Sequence, residues 1–508
     1  MSNINENNIF NFTIILVGLI FVIKVSALLF CSWHISNFEF SLRYYLTKKL
    51  YKKYISQDYL KIIKTNSAEI IKNIDYELSV YSSGVAALME ILTEGIILFG
   101  IVIFLFYFNF EVSFAILVSL LIISLILQKL YNRKLLEWGK IHQKYEKLRI
   151  KNFIETFNAI KEIKIFGKEN IFFNIMSKFN KNFFSTARKE RFLRSVPRSV
   201  LELILIVFAC LSLLYFSLDQ IDIKDNLSSL GVYLIAAYRS FPSANRILTN
   251  YQRLKFATPF MDNISHQFED DGKNIQLSNN KKYNLTNKIT IKDCDFSYNE
   301  SNKILDNLNF DFKLGRIYGV KGPSGGGKTT LLNILTGLLM PSKGDLYADN
   351  QKIKNKNIKE FQNIIGYVPQ NTFLFDASIL ENITFDFSDE KTIDHEKIKD
   401  LLKHLSLIEK INSLKNGLNT NVGERGVNLS GGQIQRIGLA RAMYNNPKIL
   451  ILDESTNAIE KDIERKVLSY LKSIKKNMII ILVAHRDTTL EYADQVLELL
   501  NGNLIKIK

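Results

Sequence analysis

Residues 322–329 read GPSGGGKT, and the spacing Gly322-x4-Gly327-Lys328-Thr329 is that of a phosphate cradle. Glycines let successive backbone N–H groups close around a polyphosphate, the lysine reaches its β and γ phosphates, and the threonine hydroxyl ligates Mg²⁺. Pro323, Ser324, Gly325, Gly326 and Thr330 complete the loop and are assigned with it to ATP. Further along, KILILDES ends an apolar run in two acids. Asp453 is suited to hold Mg²⁺, and Glu454 to polarise a water in line with the γ-phosphate. One acid after a strand is commonly a helix cap. Two of them, downstream of such a loop, point to nucleotide hydrolysis.

These groups need a rigid frame. IYGV before the loop reads as a strand and KTTLLNIL after it as a helix, which sets a helix N-terminus against the phosphates. Across 288–508 short apolar strands alternate with helical patterns, as in an α/β domain on a largely parallel sheet. The polar stretch 266–287 reads as a linker.

Residues 1–265 read as an α-helical transmembrane domain with long cytosolic helical extensions. Four apolar runs, Phe10–Ser32, Leu88–Phe108, Val112–Leu130 and Val200–Leu218, approach the ~20 residues a membrane-spanning helix needs. A fifth, Leu227–Leu248, is weaker and carries Arg239, Pro242 and Arg246. The chain of 508 residues is 47% hydrophobic, with mean hydropathy +0.02, which suits a protein part membrane and part soluble. A net charge of +16 fits basic loops beside anionic membrane lipid better than a nucleic-acid partner. Cys31, Cys210 and Cys294 have neither metal nor disulfide spacing.

Charge sets the topology. Segments 33–85 and 132–197 are rich in Lys and Arg, whereas residues 1–23 have neither and DQIDIKDN (219–226) is acidic. Basic segments stay in the cytosol. The expected arrangement has the N-terminus outside, five crossings and a cytosolic ATPase domain.

LSGGQ at 429–433 (with Ser430, Gly431, Gly432 and Gln433) lies between the two nucleotide motifs and resembles the signature of ABC ATPases. Tyr298 in FSY resembles that family's adenine-stacking aromatic residue. Gln370 in IGYVPQ resembles its sensor of Mg²⁺ and attacking water, and His485 in LVAHRD its switch histidine. Glu460 stands where the family's SALD loop carries Asp. The segments around Ser56–Leu60 and Glu155–Phe166 are similar to the short cytosolic helices of ABC exporters and are expected to be helical. The resemblance implies a transmembrane domain fused to an ABC ATPase domain, ATP and Mg²⁺ as cofactors, and ATP sandwiched between the P-loop of one nucleotide domain and LSGGQ of another. The partner it implies is a second copy of the chain. A non-transporting relative acting on ribosomes or DNA would have no use for the membrane segments, and a non-hydrolysing sensor none for Glu454 and His485.

Exporters of this type resemble a six-span unit, so the first span is expected to be missing. The stretches SVPRSVLELI and AAYRSFPSANRIL resemble bacterial flippases of lipid-linked oligosaccharides, which implies a lipid-linked cargo moved across the inner (plasma) membrane. The alternative is an exporter of lipids, drugs or peptides. Lys24, in FVIKVSALLF, sits mid-span, where an ammonium costs ~2.5–3.5 kcal/mol. Either it snorkels, or it faces the bundle interior. With Arg239, and with Arg198 at the cytosolic mouth of the fourth span, it forms a candidate substrate site for an anionic headgroup, since Glu90, Glu94 and Glu202 are the few acids at hand.

Overall fold

The structure is a computed structural model that describes residues 6–108, 110–218, 223–269, 283–298, 303–388 and 393–507; within some helices only the backbone is described. It divides into two compact units, one of 1–57 with 61–272, the other of 58–60 with 273–508.

The first unit is helical. Its elements are α1 (Glu6–Ser56), α2 (Tyr59–Lys64, whose first residues group with the second unit), α3 (Ser67–Lys72), a π-helical turn (Asn73–Glu77), α4 (Leu78–Phe108), α5 (Phe110–Asn158), α6 (Ile160–Ile165), α7 (Glu169–Leu218) and α8 (Ile223–Glu269). At 1.5 Å per residue, α1 with 51 residues is about 76 Å long, far more than the ~30 Å of hydrocarbon. The apolar runs are therefore the membrane halves of longer helices. Phe10, Ile15, Val22 and Leu29 of α1 are exposed on the single chain, which suits lipid or a second helical surface. Among the described residues, the stretches Phe10–Ser56 and Ser67–Tyr107 are long and apolar enough to cross a membrane.

Polar chemistry ties the helices together beyond their apolar runs. The fully buried Glu77 accepts hydrogen bonds from Lys72 Nζ (2.5 Å), Gln143 Nε2 (2.8 Å) and Asn263 Nδ2. Burial pushes the His142 imidazole down to about 4, so it stays neutral between Tyr76 and Thr186. Pro242 and Pro259 both lie inside α8, so the weak fifth segment continues as one helix rather than breaking. The two expected short helices appear, shifted, as α2 and α6: Ser56 still ends α1 and only Tyr59 and Leu60 of the first expected segment lie in α2, while Glu155–Asn158 still belong to α5.

The second unit is α/β. A four-stranded antiparallel sheet has order β2-β1-β4-β5, with β1 (Lys288–Ser297), β2 (Lys303–Lys313), β4 (Lys343–Ala348) and β5 (Gln351–Lys352). The second sheet has six strands in order β10-β9-β3-β8-β7-β6: β3 (Ile317–Lys321), β6 (Ile365–Val368), β7 (Ile449–Asp453), β8 (Ile479–Val483), β9 (Gln495–Leu500) and β10 (Asn503–Lys506). β9, β3, β8, β7 and β6 run parallel. β7 and β8 are buried along their whole length, which is why they read as unbroken apolar runs. The helices are α9 (Lys328–Leu335), α10 (Ile358–Gln362), α11 (Ile379–Thr384), α12 (His395–His404), α13 (Ile408–Asn412), α14 (Gly431–Tyr444), α15 (Lys461–Ile474) and α16 (Asp487–Leu490). In the stretch expected as a linker, α8 runs on to Glu269, and Tyr283 and Leu285 already pack in this unit, Tyr283 donating to the Ala348 carbonyl at 2.8 Å.

Candidate functional site

Parallel strands present their carboxyl ends on one side, and ligands bind there. Here that edge carries the loop after β3, the acids that end β7, and His485 just beyond β8.

The loop needs its glycines. Gly327 has φ +92°, and a Cβ there would meet Ile304 Cγ2 at 2.9 Å. Lys328 opens α9, is only 8% exposed, and donates to the Gly322 and Pro323 carbonyls at 2.9 and 3.0 Å. It folds back under the loop that it would serve. Thr329 is exposed at the loop end and Thr330 is buried, with its hydroxyl 3.3 Å from that of Tyr298. Tyr298 is half-buried, edge-on to Phe296.

The two acids differ sharply in setting. Asp453 is 8% exposed, and its Oδ2 accepts from the Tyr367 hydroxyl at 3.3 Å. Burial holds its carboxyl above the ordinary value; the Tyr367 hydrogen bond and Lys328 oppose this, and the charge of Glu454 adds to it. Glu454 leaves the strand at φ +48°, a left-handed conformation rare for a non-glycine residue. Its Oε1 lies 2.9 Å from His485 Nε2, and its Oε2 accepts from Gln370 Nε2 at 2.9 Å and Asn457 Nδ2 at 3.4 Å. Gln370, Glu454 and His485 thus converge on one carboxylate. Asp453, Thr329 and the Gln370 amide oxygen are hard oxygen donors of the kind Mg²⁺ takes. A buried carboxylate near Lys328 is also the setting in which a divalent cation offsets desolvation.

Ser430 caps α14 by a reciprocal box, its Oγ accepting from Gln433 N at 3.3 Å and its N donating to Gln433 Oε1 at 2.9 Å. A Cβ on Gly432 would lie 2.8 Å from the Ala458 carbonyl, so Gly431 and Gly432 let this helix start sit against the 457–460 loop. Glu460 caps α15 with backbone only. Among the described residues, the hydrogen bonds of 429–433 stay within that helix and its neighbouring loops, away from the P-loop.

An α/β nucleotide-binding unit with this phosphate loop, acid pair and signature helix, carried on a bundle of membrane-length helices, is a membrane-bound P-loop ATPase. Family models match the chain as an ABC transporter transmembrane region over residues 1–236 and an ABC transporter over 305–457. The chain belongs to the ABC transporters: a transmembrane region fused to an ABC ATPase domain, hydrolysing ATP to drive export. It is 27% identical to an ATP-dependent lipid A-core flippase of Francisella tularensis, over 91% of this chain and 76% of the relative. It is 30% identical to ABC transporter B family member 1 of Dictyostelium discoideum, over 98% of this chain and 55% of that one. The solved structure of a bacterial Atm1-family ABC exporter with ATP bound has the same fold, with TM-score 0.79 at 21% identity, covering 97% of this chain and 88% of that one.

The sequence-derived substrate site is only partly described. Lys24 is exposed, its ammonium 5.7 Å from the Phe21 ring centroid. Arg198 is exposed and paired with Glu202 one turn on, at 3.0 Å. The side chain of Arg239 lies outside the described residues. Glu94 pairs with Arg246 (2.6 Å), and Glu90 with Asn250 (2.8 Å) and Arg253 (3.7 Å); among the described residues none of these pairings involves Lys24. Asn457, which the sequence placed at the start of the SALD-like loop 457–460, also reaches Glu454. Tyr367 is a site residue that the sequence did not single out and that carries no motif signal.

Proposed function

We propose that the chain works as a homodimer in the bacterial inner membrane, moving an anionic, lipid-linked cargo, of which a lipid-linked oligosaccharide is the leading case. One observation carries the dimer: this sequence holds one P-loop and one LSGGQ, and among the described residues the hydrogen bonds of each stay in its own surroundings. A twofold axis would complete two equal sites. In each, the P-loop with Lys328 would hold the phosphates and Tyr298 the base; Thr329, Gln370 and Asp453 would hold Mg²⁺, which when bound would supply positive charge to the phosphates, and Ser430 to Gln433 of the second copy would close the site. Glu454 orients and polarises the attacking water, and His485 and Gln370 fix the carboxylate through the hydrogen bonds described above. The oxygen of that water bonds to the γ-phosphorus as the bond to the β–γ bridging oxygen breaks, its proton passing to Glu454, giving ADP and phosphate.

The cargo reading is supported by the cations in the membrane half and by the likeness to a lipid A-core flippase. Helix register supports pairing Lys24 with Arg239. Tyr54 of α1 meets Gln267 of α8 (3.3 Å) and Glu39 meets Arg253 (3.7 Å), so the two helices run in the same direction in step. Stepping back from Glu39 to Lys24 is 15 residues and from Arg253 to Arg239 is 14, about 22 Å along each axis, which sets both at one depth. Two cations at one depth suit a diphosphate headgroup.

Lys24→Ala with Arg239→Ala should lower flipping of polyprenyl-diphosphate lipids in proteoliposomes while basal ATPase stays within about threefold, on the order of 0.7 kcal/mol in barrier. Unchanged flipping would return Lys24 to snorkelling. Equal loss of ATPase would mark the pair as structural. A cargo panel including lipid A-type lipids separates the lipid-linked oligosaccharide from the alternative exporter reading.

A further inference from the structure

We propose that Tyr367 is a positioning residue that orients the Asp453 carboxylate toward the metal. The inference rests on the reading of Asp453 as an Mg²⁺ ligand.

Strand β6 lies against β7 in parallel, with Tyr367 opposite Ile451 and Val368 opposite Leu452, so Tyr367 stands beside the strand end that delivers Asp453. Its hydroxyl is 3.3 Å from Asp453 Oδ2, long for an O–H···O bond and thus able to tighten. A donor on one carboxylate oxygen fixes the rotation of the group and turns the other oxygen outward. Groups of this kind, placed behind metal ligands, typically change metal affinity by about 10–100-fold when removed.

Gln370, placed on the loop just beyond β6, serves Glu454 instead, so the two acids are addressed separately.

The test uses the full chain in detergent, with a non-hydrolysable ATP analogue and Mn²⁺ as the metal probe, read by electron paramagnetic resonance. Tyr367→Phe keeps the ring and removes the hydroxyl. It should weaken Mn²⁺ binding about tenfold, with metal-free nucleotide affinity and Tm unchanged. In Asp453→Asn, which should itself lose Mn²⁺, adding Tyr367→Phe should do nothing more. Mn²⁺ binding by Tyr367→Phe within twofold of the parent, or an additive loss in the double variant, overturns the positioning role. Normal Mn²⁺ binding by Asp453→Asn alone would instead remove the metal-ligand reading itself.

Discussion

Glu454→Gln should bind ATP with near-parental affinity and hydrolyse it about 10²–10⁴-fold more slowly, the range for loss of a positioned general base. The carboxylate has Gln370, His485 and Asn457 around it, all within 3.4 Å. An amide of the same shape keeps the packing but loses basicity. It also turns an NH₂ group toward one of these donors. The backbone at φ +48° is unchanged by the substitution, so the residue stays where the strand delivers it. Slow turnover with intact binding should trap the ATP-bound dimer, visible as a stable doubled species by light scattering after correction for detergent. Phosphate release near the parental rate would remove Glu454 from its role.

Lys328→Ala should weaken ATP binding about 10–150-fold, the equivalent of ~1.5–3 kcal/mol for a hydrogen bond to a charged group. The ammonium is buried, and two of its three donors are engaged by the Gly322 and Pro323 carbonyls. It is therefore preorganised under the loop, and its charge, little screened there, is aimed at phosphate. Titration with a fluorescent ATP analogue measures the loss. A change below threefold would mean that Lys328 only staples the loop, and Tm would then fall instead.

The nucleotide chemistry was legible because its parts are contiguous. A strand, a glycine turn and a helix start place Gly322 to Thr330 by local geometry alone, and the apolar run of β7 announces Asp453 and Glu454 at its end. The helical spans were legible for the same reason, since length and hydropathy are local properties. So was the Arg198–Glu202 pair, one helical turn apart.

What the sequence could not decide was which distant groups meet. Arg246 takes Glu94 and Arg253 takes Glu39 and Glu90, because the register of α1, α4 and α8 brings those levels together. Tyr367 reaches Asp453 only because β6 neighbours β7, although 86 residues separate them. Residues 58–60 fold with a domain that begins more than two hundred positions later. Motifs of this chain are properties of short segments and their backbone sterics. Partnerships among its charges and hydroxyls depend on strand order and helix register, which are set by burying apolar faces that many pairings of sequence would satisfy equally well.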